Sequence, residues 1–377
     1  MRVSSSILAI FSIIATTPGA QATESEGPII GYGSSDAVLP AKTQELFYAG
    51  FELGLKDHLK RKMPANFLAV NQISDGNKLS AIRSAKNLVA QGAKMIVGFP
   101  SSHEALLAGE VAQKEGMLAI FAGAGHSKLA TMGRTVFTTG ETMEASIESV
   151  LNLALEKFKN KKGLVIVNPN AVFSTNQIPV INEFLKQPRY SELILKTASV
   201  DKYGKLSPEQ LNSIKENPPD YYLFTPYTDE CTSSLDQLVQ IGSDKPILSN
   251  SSWTSADIDF LRRLVAKHKS PIYSFSLWVK GSPISQVFES RVKKAYGREA
   301  TGEIAFGYDL GIMVATLLNR VKGTPTKESL IEAFHQNRCF ESVTTNRVCF
   351  KPTGGHSDKH IIPVQLTLYG ISPLKNR

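Results

Sequence analysis

Residues 95–100 read Met-Ile-Val-Gly-Phe-Pro, and residues 221–226 read Tyr-Tyr-Leu-Phe-Thr-Pro. In both places the apolar run predicts a buried strand, and a helical segment, a glycine (Gly116 or Gly242) and a second short strand follow the proline. The interval from proline to glycine is sixteen residues in both copies. Strand–helix–strand units of similar length can share such a spacing by coincidence, but the repetition favours two equivalent lobes.

Strand and helix patterns alternate outward from these two segments. The first half of the chain predicts strands at 28–32, 67–71, 95–99, 117–121 and 135–139, and helices at 42–62, 79–91, 103–114 and 143–158. The strand pattern at 163–167 starts the alternation again. This rhythm predicts an α/β fold made of two doubly wound parallel-sheet lobes. A chain of 377 residues is also longer than one hydrophobic core usually supports.

Composition and charge exclude several classes of protein. With 42% hydrophobic and 20% charged residues, the chain is not intrinsically disordered. The formal net charge is +8, but the basic residues are dispersed and offer no continuous track for phosphates. We therefore expect no nucleic-acid partner.

The N-terminal segment is typical of a cleaved secretory signal. Arg2 precedes an apolar run over residues 7–15, and the small-residue site Ala20-Gln21-Ala22 follows a helix-breaking stretch. The alternative, a membrane anchor, requires about 20 apolar residues, many more than this run contains. We expect residues 1–22 to be removed and the mature chain to be periplasmic.

The three cysteines divide into a pair and a single residue. Cys339 and Cys349 flank a predicted hairpin, so an oxidising compartment would allow them to form a disulfide. The alternative is two free thiols on opposite faces of that hairpin. Cys231 lies near the start of a predicted helix and is interpreted as a small buried side chain.

Polar residues follow the two repeated strands at their carboxyl ends, where parallel sheets bind ligands. Ser101 and Ser102 begin one helix and would suit an anion, whereas Asp229 and Glu230 would suit an ammonium group. All four also fit the ordinary role of N-cap and first-turn residues. They line one cleft only if the two lobes face each other.

Three segments, 94–102, 119–129 and 136–140 with its Thr-Thr-Gly, resemble type I periplasmic binding proteins, specifically the leucine/isoleucine/valine-binding branch of ABC-transporter receptors. The resemblance covers nearly the whole mature chain. It implies two α/β lobes joined by three crossovers near Gly140, residues 276–279 and Phe340. The implied boundaries are 23–140 plus 277–340 for lobe 1, and 141–276 plus 341–377 for lobe 2.

The resemblance also implies a function. Such a receptor closes on a small-molecule solute and delivers it to a membrane ABC permease; it works as a monomer, without a cofactor or a metal, and is not an enzyme. A sensory subunit of the same fold, which docks on a membrane receptor, is the alternative that the sequence leaves open.

Three small residues correspond to the part of the family pocket that holds a ligand carboxylate. Ser102 matches the serine that contacts the carboxylate, and Gly123 matches a position that contributes backbone atoms. Gly125 stands where the amino-acid binders have a threonine, so one hydroxyl contact is missing.

The ammonium end of the family pocket is altered as well. Ser251 stands where an acidic residue usually meets the ligand ammonium, and an unpaired buried ammonium is costly. Either Asp229, Glu230 or Glu141 replaces that residue, or the ligand is not an α-amino acid. An amino acid or a related small acid or amide is therefore the expected ligand class.

Three aromatic residues predict an aromatic-walled pocket. Phe173 corresponds to an aromatic lid position of the family, Tyr227 lies close to a second one, and Trp253 follows the altered acidic position. The alternative is that each ring simply belongs to the core.

Catalytic patterns are weak. The chain has no complete Gly-x-Ser-x-Gly elbow and no phosphate-binding P-loop. His356, Asp358 and His360 alternate, so on a strand they would share one face and form a zinc-competent set. The alternative is a solvated polar turn, and a hydrolase that uses these three residues is the competing function.

Overall fold

The computed structural model describes residues 28–35, 39, 41–73, 75–254, 258–358 and 361–374. The predicted signal peptide and His360 lie outside these residues. Within them, none of the helices combines the length and the apolar character needed to span a bilayer.

Strands and helices alternate as the sequence predicts. The strands are β1 (Ile30–Ser35), β2 (Leu68–Ile73), β3 (Met95–Gly98), β4 (Leu118–Phe121), β5 (Val136–Thr138), β6 (Lys162–Val167), β7 (Ile194–Ser199), β8 (Tyr221–Phe224), β9 (Ile247–Ser249), β10 (Ile272–Ser276), β11 (Cys339–Ser342), β12 (Asn346–Cys349), β13 (Gly355–His356), β14 (Ile362–Thr367) and β15 (Gly370–Pro373). The helices are α1 (Ala41–His58), α2 (Ser80–Ala90), α3 (Ser102–Lys114), α4 (Met143–Phe158), α5 (Val172–Leu185), α6 (Pro208–Glu216), α7 (Thr228–Gln240), α8 (Ile258–Lys267), α9 (Gln286–Tyr296), α10 (Gly302–Arg320) and α11 (Lys327–Gln336).

The first lobe is built on a parallel sheet with the strand order β13-β5-β4-β3-β1-β2. Successive side chains of β3 point to opposite faces: Met95 and Val97 join one apolar cluster, and Ile96 joins another. The first cluster contains residues of α1, α10 and α11, and the second contains residues of α2 and α3. Helices therefore cover both faces of this sheet.

The second lobe repeats this arrangement with the order β15-β14-β10-β9-β8-β6-β7. Strands β6 to β10 are parallel, whereas β14 and β15 add an antiparallel edge. Strand β8 occupies the position between β9 and β6 that β3 occupies between β4 and β1. The two proline-ended strands are thus equivalent in space, and the predicted fold class of two doubly wound α/β lobes is confirmed.

Glycines allow α1 and α10 to cross at close range in the first lobe. A Cβ atom on Gly50 would lie 2.1 Å from the carbonyl oxygen of Ile304, and one on Gly307 would lie 2.0 Å from that of Phe47. No side chain larger than hydrogen fits at either position without moving a backbone. This crossing fixes Phe47 and its neighbour Phe306 at the edge of the lobe.

The chain passes between the sheets three times. The first passage follows β5, and the second, back to the first lobe, follows β10. Strand β13 still belongs to the first sheet, because it pairs with β5 through His356 and Thr138, whereas β14 belongs to the second sheet, because it pairs with β10. The third passage therefore lies between β13 and β14. This differs from the predicted crossover near Phe340 and from the assignment of residues 341–356 to lobe 2. The reason is apolar packing: Phe340 and Phe350 join the cluster of Phe334 in the first lobe.

A disulfide closes the hairpin of β11 and β12. Cys339 and Cys349 are paired residues of this antiparallel ladder and their sulfur atoms are bonded, as the sequence predicts. The buried carboxylate of Asp309 in α10 anchors the hairpin, because it accepts hydrogen bonds of 2.7 Å from Ser342 Oγ and 2.6 Å from Thr344 Oγ1. Cys231 is fully buried in α7, as predicted.

Candidate functional site

A cavity of about 420 Å³ lies between the two lobes. It opens at the carboxyl ends of β3 and β8, where parallel strands present loops and helix N-termini. Nine of the ten residues predicted from the sequence line it: Ser101, Ser102, Gly123, Gly125, Glu141, Phe173, Tyr227, Asp229 and Ser251. Positions far apart in the chain are therefore brought to one place.

Trp253 is the predicted residue that does not line the cavity. Its side chain is fully buried, its Nε1 donates a 3.2 Å hydrogen bond to the carbonyl of Pro226, and its ring packs 5.5 Å from Phe224. The indole supports the loop that carries Tyr227, so it belongs to the core of the second lobe.

The first-lobe wall begins at a strained turn. Phe99 has a φ of 44° and Gly98 a φ of 104°, and left-handed geometry is unusual for a bulky residue such as phenylalanine. After this turn, Ser101 is the N-cap residue of α3, and its Oγ accepts a 3.3 Å hydrogen bond from the Glu104 N–H. Ser101 thus has the N-cap role that was the ordinary interpretation of its sequence position.

The small residues of this wall are bonded to each other. Ser102 Oγ accepts a 3.1 Å hydrogen bond from the Gly125 N–H, and the Gly123 N–H donates to Thr139 Oγ1 at 3.1 Å. Gly123 has a φ of 80°, which an alanine would adopt only with strain. The Gly123 N–H, at the position whose backbone atoms the resemblance assigns to the ligand, is therefore satisfied within the lobe, and so is the Gly125 N–H.

Behind this wall lies a buried carboxyl group that the sequence analysis missed. Glu104 is fully buried, and its Oε1 accepts hydrogen bonds from the N–H (3.2 Å) and the hydroxyl (2.6 Å) of Ser35. Burial raises the pKa of Glu104 to about 7, although hydrogen bonds from Ser35 and Ser101 act in the opposite direction. The Ser-x-x-Glu spacing of a capping box was the signal that could have identified it.

Aromatic rings form part of both walls. In the second lobe Phe173 and Tyr227 stack with their centroids 4.5 Å apart, and in the first lobe Phe47 and Phe306 stack at 6.4 Å. All four line the cavity. The first-lobe pair was missed because both residues lie in helices, where an apolar pattern predicts only a core face.

Glu141 is the acidic residue that lies beside Ser251. Its Oε1 accepts hydrogen bonds of 2.9 Å from Ser251 Oγ and from Ser146 Oγ. Asp229 is exposed, and Glu230 Oε2 accepts a 3.2 Å hydrogen bond from the Tyr227 N–H. Burial, followed by the nearby Asp229 carboxylate, raises the pKa of Glu230.

A side-chain contact joins the lobes across the cleft. His126, at the start of a 3-10 turn in the first lobe, lies 3.2 Å from the side-chain nitrogen of Asn176 in α5. Burial lowers the pKa of His126, and Lys128 and His356 lower it further. No local sequence pattern indicates this pair.

The two described members of the predicted zinc-competent set, His356 and Asp358, are engaged in backbone contacts. The ring nitrogens of His356 lie 3.2 Å from the Gly140 carbonyl and 3.1 Å from the His126 carbonyl, and Asp358 accepts a 2.6 Å hydrogen bond from the Cys349 N–H. Across the described part of the chain, no group of three or more His, Cys, Asp or Glu residues is placed to hold a metal ion.

Two equivalent α/β lobes that enclose one cavity at their strand ends define a cleft-type solute receptor. The chain belongs to the family described as periplasmic binding protein, whose pattern matches residues 75–367. The family resemblance read from the sequence is thereby confirmed. A search of curated proteins finds no match.

Solved structures support the same fold. The branched-chain amino acid transporter substrate binding protein LivJ from Streptococcus pneumoniae, in complex with isoleucine, superposes with a TM-score of 0.74 at 17% identity, covering 93% of this chain and all of LivJ. The leucine binding protein LivK from Thermotoga maritima gives 0.75 at 13% identity, covering 92% and 98%. A solute binding protein from R. palustris, in complex with benzoate, gives 0.75 at 14% identity, covering 92% and 96%.

Proposed function

We propose that this protein is an exported receptor that closes its two lobes around a small polar solute and passes the solute to a membrane ABC permease. The observation that carries the proposal is the cavity itself, because both lobes supply its walls: Ser102 and Gly125 from the first, and Phe173 and Tyr227 from the second. A solute that contacts both walls only when they approach favours the closed state.

The similar structures support a small organic ligand. Their bound molecules are isoleucine, leucine, benzoate and 3,4-dihydroxybenzoic acid. A cavity of about 420 Å³ fits molecules of this size. The predicted residues lining it supply polar contacts through Ser101, Ser102 and Ser251, an acidic group through Glu141, and a stacked aromatic lid through Phe173 and Tyr227.

Binding and closure can be tested together. A thermal-shift panel of amino acids, amides, amines, organic acids and aromatic acids identifies the solute, since a ligand at 100 times its dissociation constant adds ~2.7 kcal/mol of stability. Small-angle scattering then measures whether that solute reduces the radius of gyration. A solute that stabilises the protein without compacting it contradicts closure, and a panel without any binder contradicts the receptor function.

Export and delivery need separate measurements. We expect the mature protein to begin near Thr23 in the periplasmic fraction, to sediment as a monomer, and to stimulate the ATPase of its ABC permease only when loaded. Solute-independent docking on a signalling receptor, without ATPase stimulation, would favour the sensory alternative. Turnover of a solute would contradict the expectation that the protein is not an enzyme.

A further inference from the structure

The residues that line the cavity are strongly biased in charge. Four residues with a carboxyl side chain line it: Glu141, Asp229, Glu230 and Glu303. None of the described lining residues is a lysine, an arginine or a histidine. Among the described residues, Glu141, Asp229 and Glu230 form no salt bridge with a basic side chain. The protein as a whole carries +8, so this local negative charge is opposite to the average.

Groups beyond the lining strengthen the bias. Burial raises the pKa of Tyr227, and the carboxylates of Glu230, Asp229 and Glu104 raise it further, so acidic groups from both lobes act on this one phenol. Glu104 belongs to the first turn of α3. Its carboxyl group, bonded to Ser35, is thus a resident acidic group near the N-terminus of that helix, whose dipole favours negative charge.

Several backbone donors that could hold an anion are also in use. The N–H groups of Gly123 and Gly125 donate to Thr139 and Ser102, and the Glu104 N–H donates to the Ser101 cap. A ligand carboxylate would thus enter a site without a basic side chain, where these three N–H groups are engaged, the Ser102 hydroxyl is left to donate, and resident carboxylates repel the anion. Losing hydration without such compensation is costly for an ion.

The same walls suit a cation. The stacked pairs Phe173–Tyr227 and Phe47–Phe306 offer aromatic faces from both lobes, and an organic cation over such a face is attracted by the ring quadrupole. Glu141 is half-buried and held by two serine hydroxyls, so it provides an oriented negative group in the same cavity.

We infer that the solute is a net cationic organic molecule, an amine or quaternary ammonium ion on an apolar body, rather than a zwitterionic amino acid or a carboxylate. This inference rests on the proposed receptor function and narrows its ligand class. The cationic head lies near Glu141, and the apolar body lies between the aromatic pairs.

Three molecules with the same isobutyl body separate the charge classes. These are 3-methylbutylamine (cation), L-leucine (zwitterion) and 4-methylpentanoate (anion), compared by calorimetry and thermal shift at pH 7.5. We expect the amine to bind at least about tenfold more tightly than leucine, and 4-methylpentanoate to give no shift. Adding 2-phenylethylamine and benzyltrimethylammonium extends the comparison to larger cations.

A charge-neutralising variant links the preference to the cavity. Glu141→Gln keeps an acceptor for both serines but removes the charge, so the affinity for the amine should fall roughly tenfold to a hundredfold. Glu156→Gln makes the same charge change on the exposed face of α4 and should leave the affinity unaltered.

Two results overturn the inference. Preferential binding of leucine or 4-methylpentanoate does so while leaving the receptor function intact. Failure of all three cations to bind also overturns the inference of a cationic solute. The proposed receptor function is contradicted only if the whole solute panel yields no binder. An unchanged amine affinity in Glu141→Gln removes Glu141 from the site and contradicts the placement of the cationic head.

Discussion

Ser251 Oγ donates a 2.9 Å hydrogen bond to Oε1 of Glu141, and this bond joins the loop after β9 to the first crossover. Ser251 stands where the family resemblance leads one to expect an acidic side chain. Glu141 supplies such a group from a segment 110 residues earlier in the chain. The negative charge at this end of the cavity therefore comes from the connection between the lobes.

Replacing Ser251 tests whether this bond orients the carboxylate for the ligand. In Ser251→Ala, Glu141 retains only the bond from Ser146, so we expect the solute affinity to weaken by ~1 kcal/mol through a less ordered carboxylate. Ser251 is half-exposed, so the free energy of unfolding should change by less than about 0.5 kcal/mol. Calorimetry with the bound solute and urea unfolding measure the two quantities. An affinity equal to that of the parent protein would show that the bond has no role in binding.

Ser102→Ala is expected to affect the wall of the first lobe. The substitution leaves the Gly125 N–H without its 3.1 Å acceptor, which should lower the free energy of unfolding by ~1 kcal/mol. If the Ser102 hydroxyl also donates to the solute, the affinity falls by a further ~1–2 kcal/mol. Urea unfolding with and without solute separates the effects. Thr131→Ala is a suitable control, because its hydroxyl caps only its own exposed turn.

Glu104→Gln should change how stability depends on pH. The pKa of Glu104 is raised to about 7 in the folded protein, above its ordinary value near 4.5, so the folded state binds more protons between these values. Stability contributed by the protonated group is complete below about pH 4.5 and is lost as the pH rises toward 7. The loss is on the order of 3 kcal/mol.

The glutamine variant has no such titration, so its stability should decline less than that of the parent protein between pH 4.5 and 7. Glu115→Gln, an exposed residue just after α3, is the matched control and should retain the parent profile. Urea unfolding at half-unit pH intervals measures all three proteins. Parallel profiles for the parent and Glu104→Gln would contradict a raised pKa at this position.

Local patterns predicted more of this fold than of its site contacts. The strand, proline and helix after residues 95 and 221 could be located because periodicity and proline act over a few residues. The third crossover could not, because it depends on Phe340 and Phe350 packing beneath Phe334. The prediction that Trp253 lines the pocket was wrong for a similar reason. An aromatic ring that lines a pocket and one that packs beneath a pocket loop have the same local sequence pattern. The bonds Ser251–Glu141 and His126–Asn176 follow from how the lobes meet, which no local pattern encodes.

Removing the disulfide should destabilise the first lobe without preventing solute binding. Cys339 and Cys349 close a loop with a sequence separation of 10, and on the chain-entropy model such a loop contributes ~2–3 kcal/mol. The double variant Cys339→Ser, Cys349→Ser should lose this amount in urea unfolding. Asp309 still holds the hairpin, so the affinity should stay within about twofold. Dithiothreitol should destabilise the parent protein but not the variant; equal sensitivity in both would contradict the bond.

The contact between His126 and Asn176 is expected to stabilise the closed arrangement of the lobes. His126 Nδ1 accepts a 3.1 Å hydrogen bond from the Lys128 N–H, so the neutral ring carries its proton on Nε2, which lies 3.2 Å from Nδ2 of Asn176. A half-turn of the Asn176 amide group exchanges its nitrogen and oxygen and makes the oxygen the acceptor of that proton. Asn176→Ala removes the acceptor from a contact between lobes, so the solute affinity should fall about threefold to tenfold at pH 7.5. Asn176→Asp keeps an acceptor and adds a negative charge, which raises the pKa of His126 and should preserve the affinity. Calorimetry and small-angle scattering on both variants test this expectation. The Asn176→Ala variant should shift the unliganded protein toward the open form. Equal affinities in the two variants would mean that the hydrogen bond does not contribute to closure.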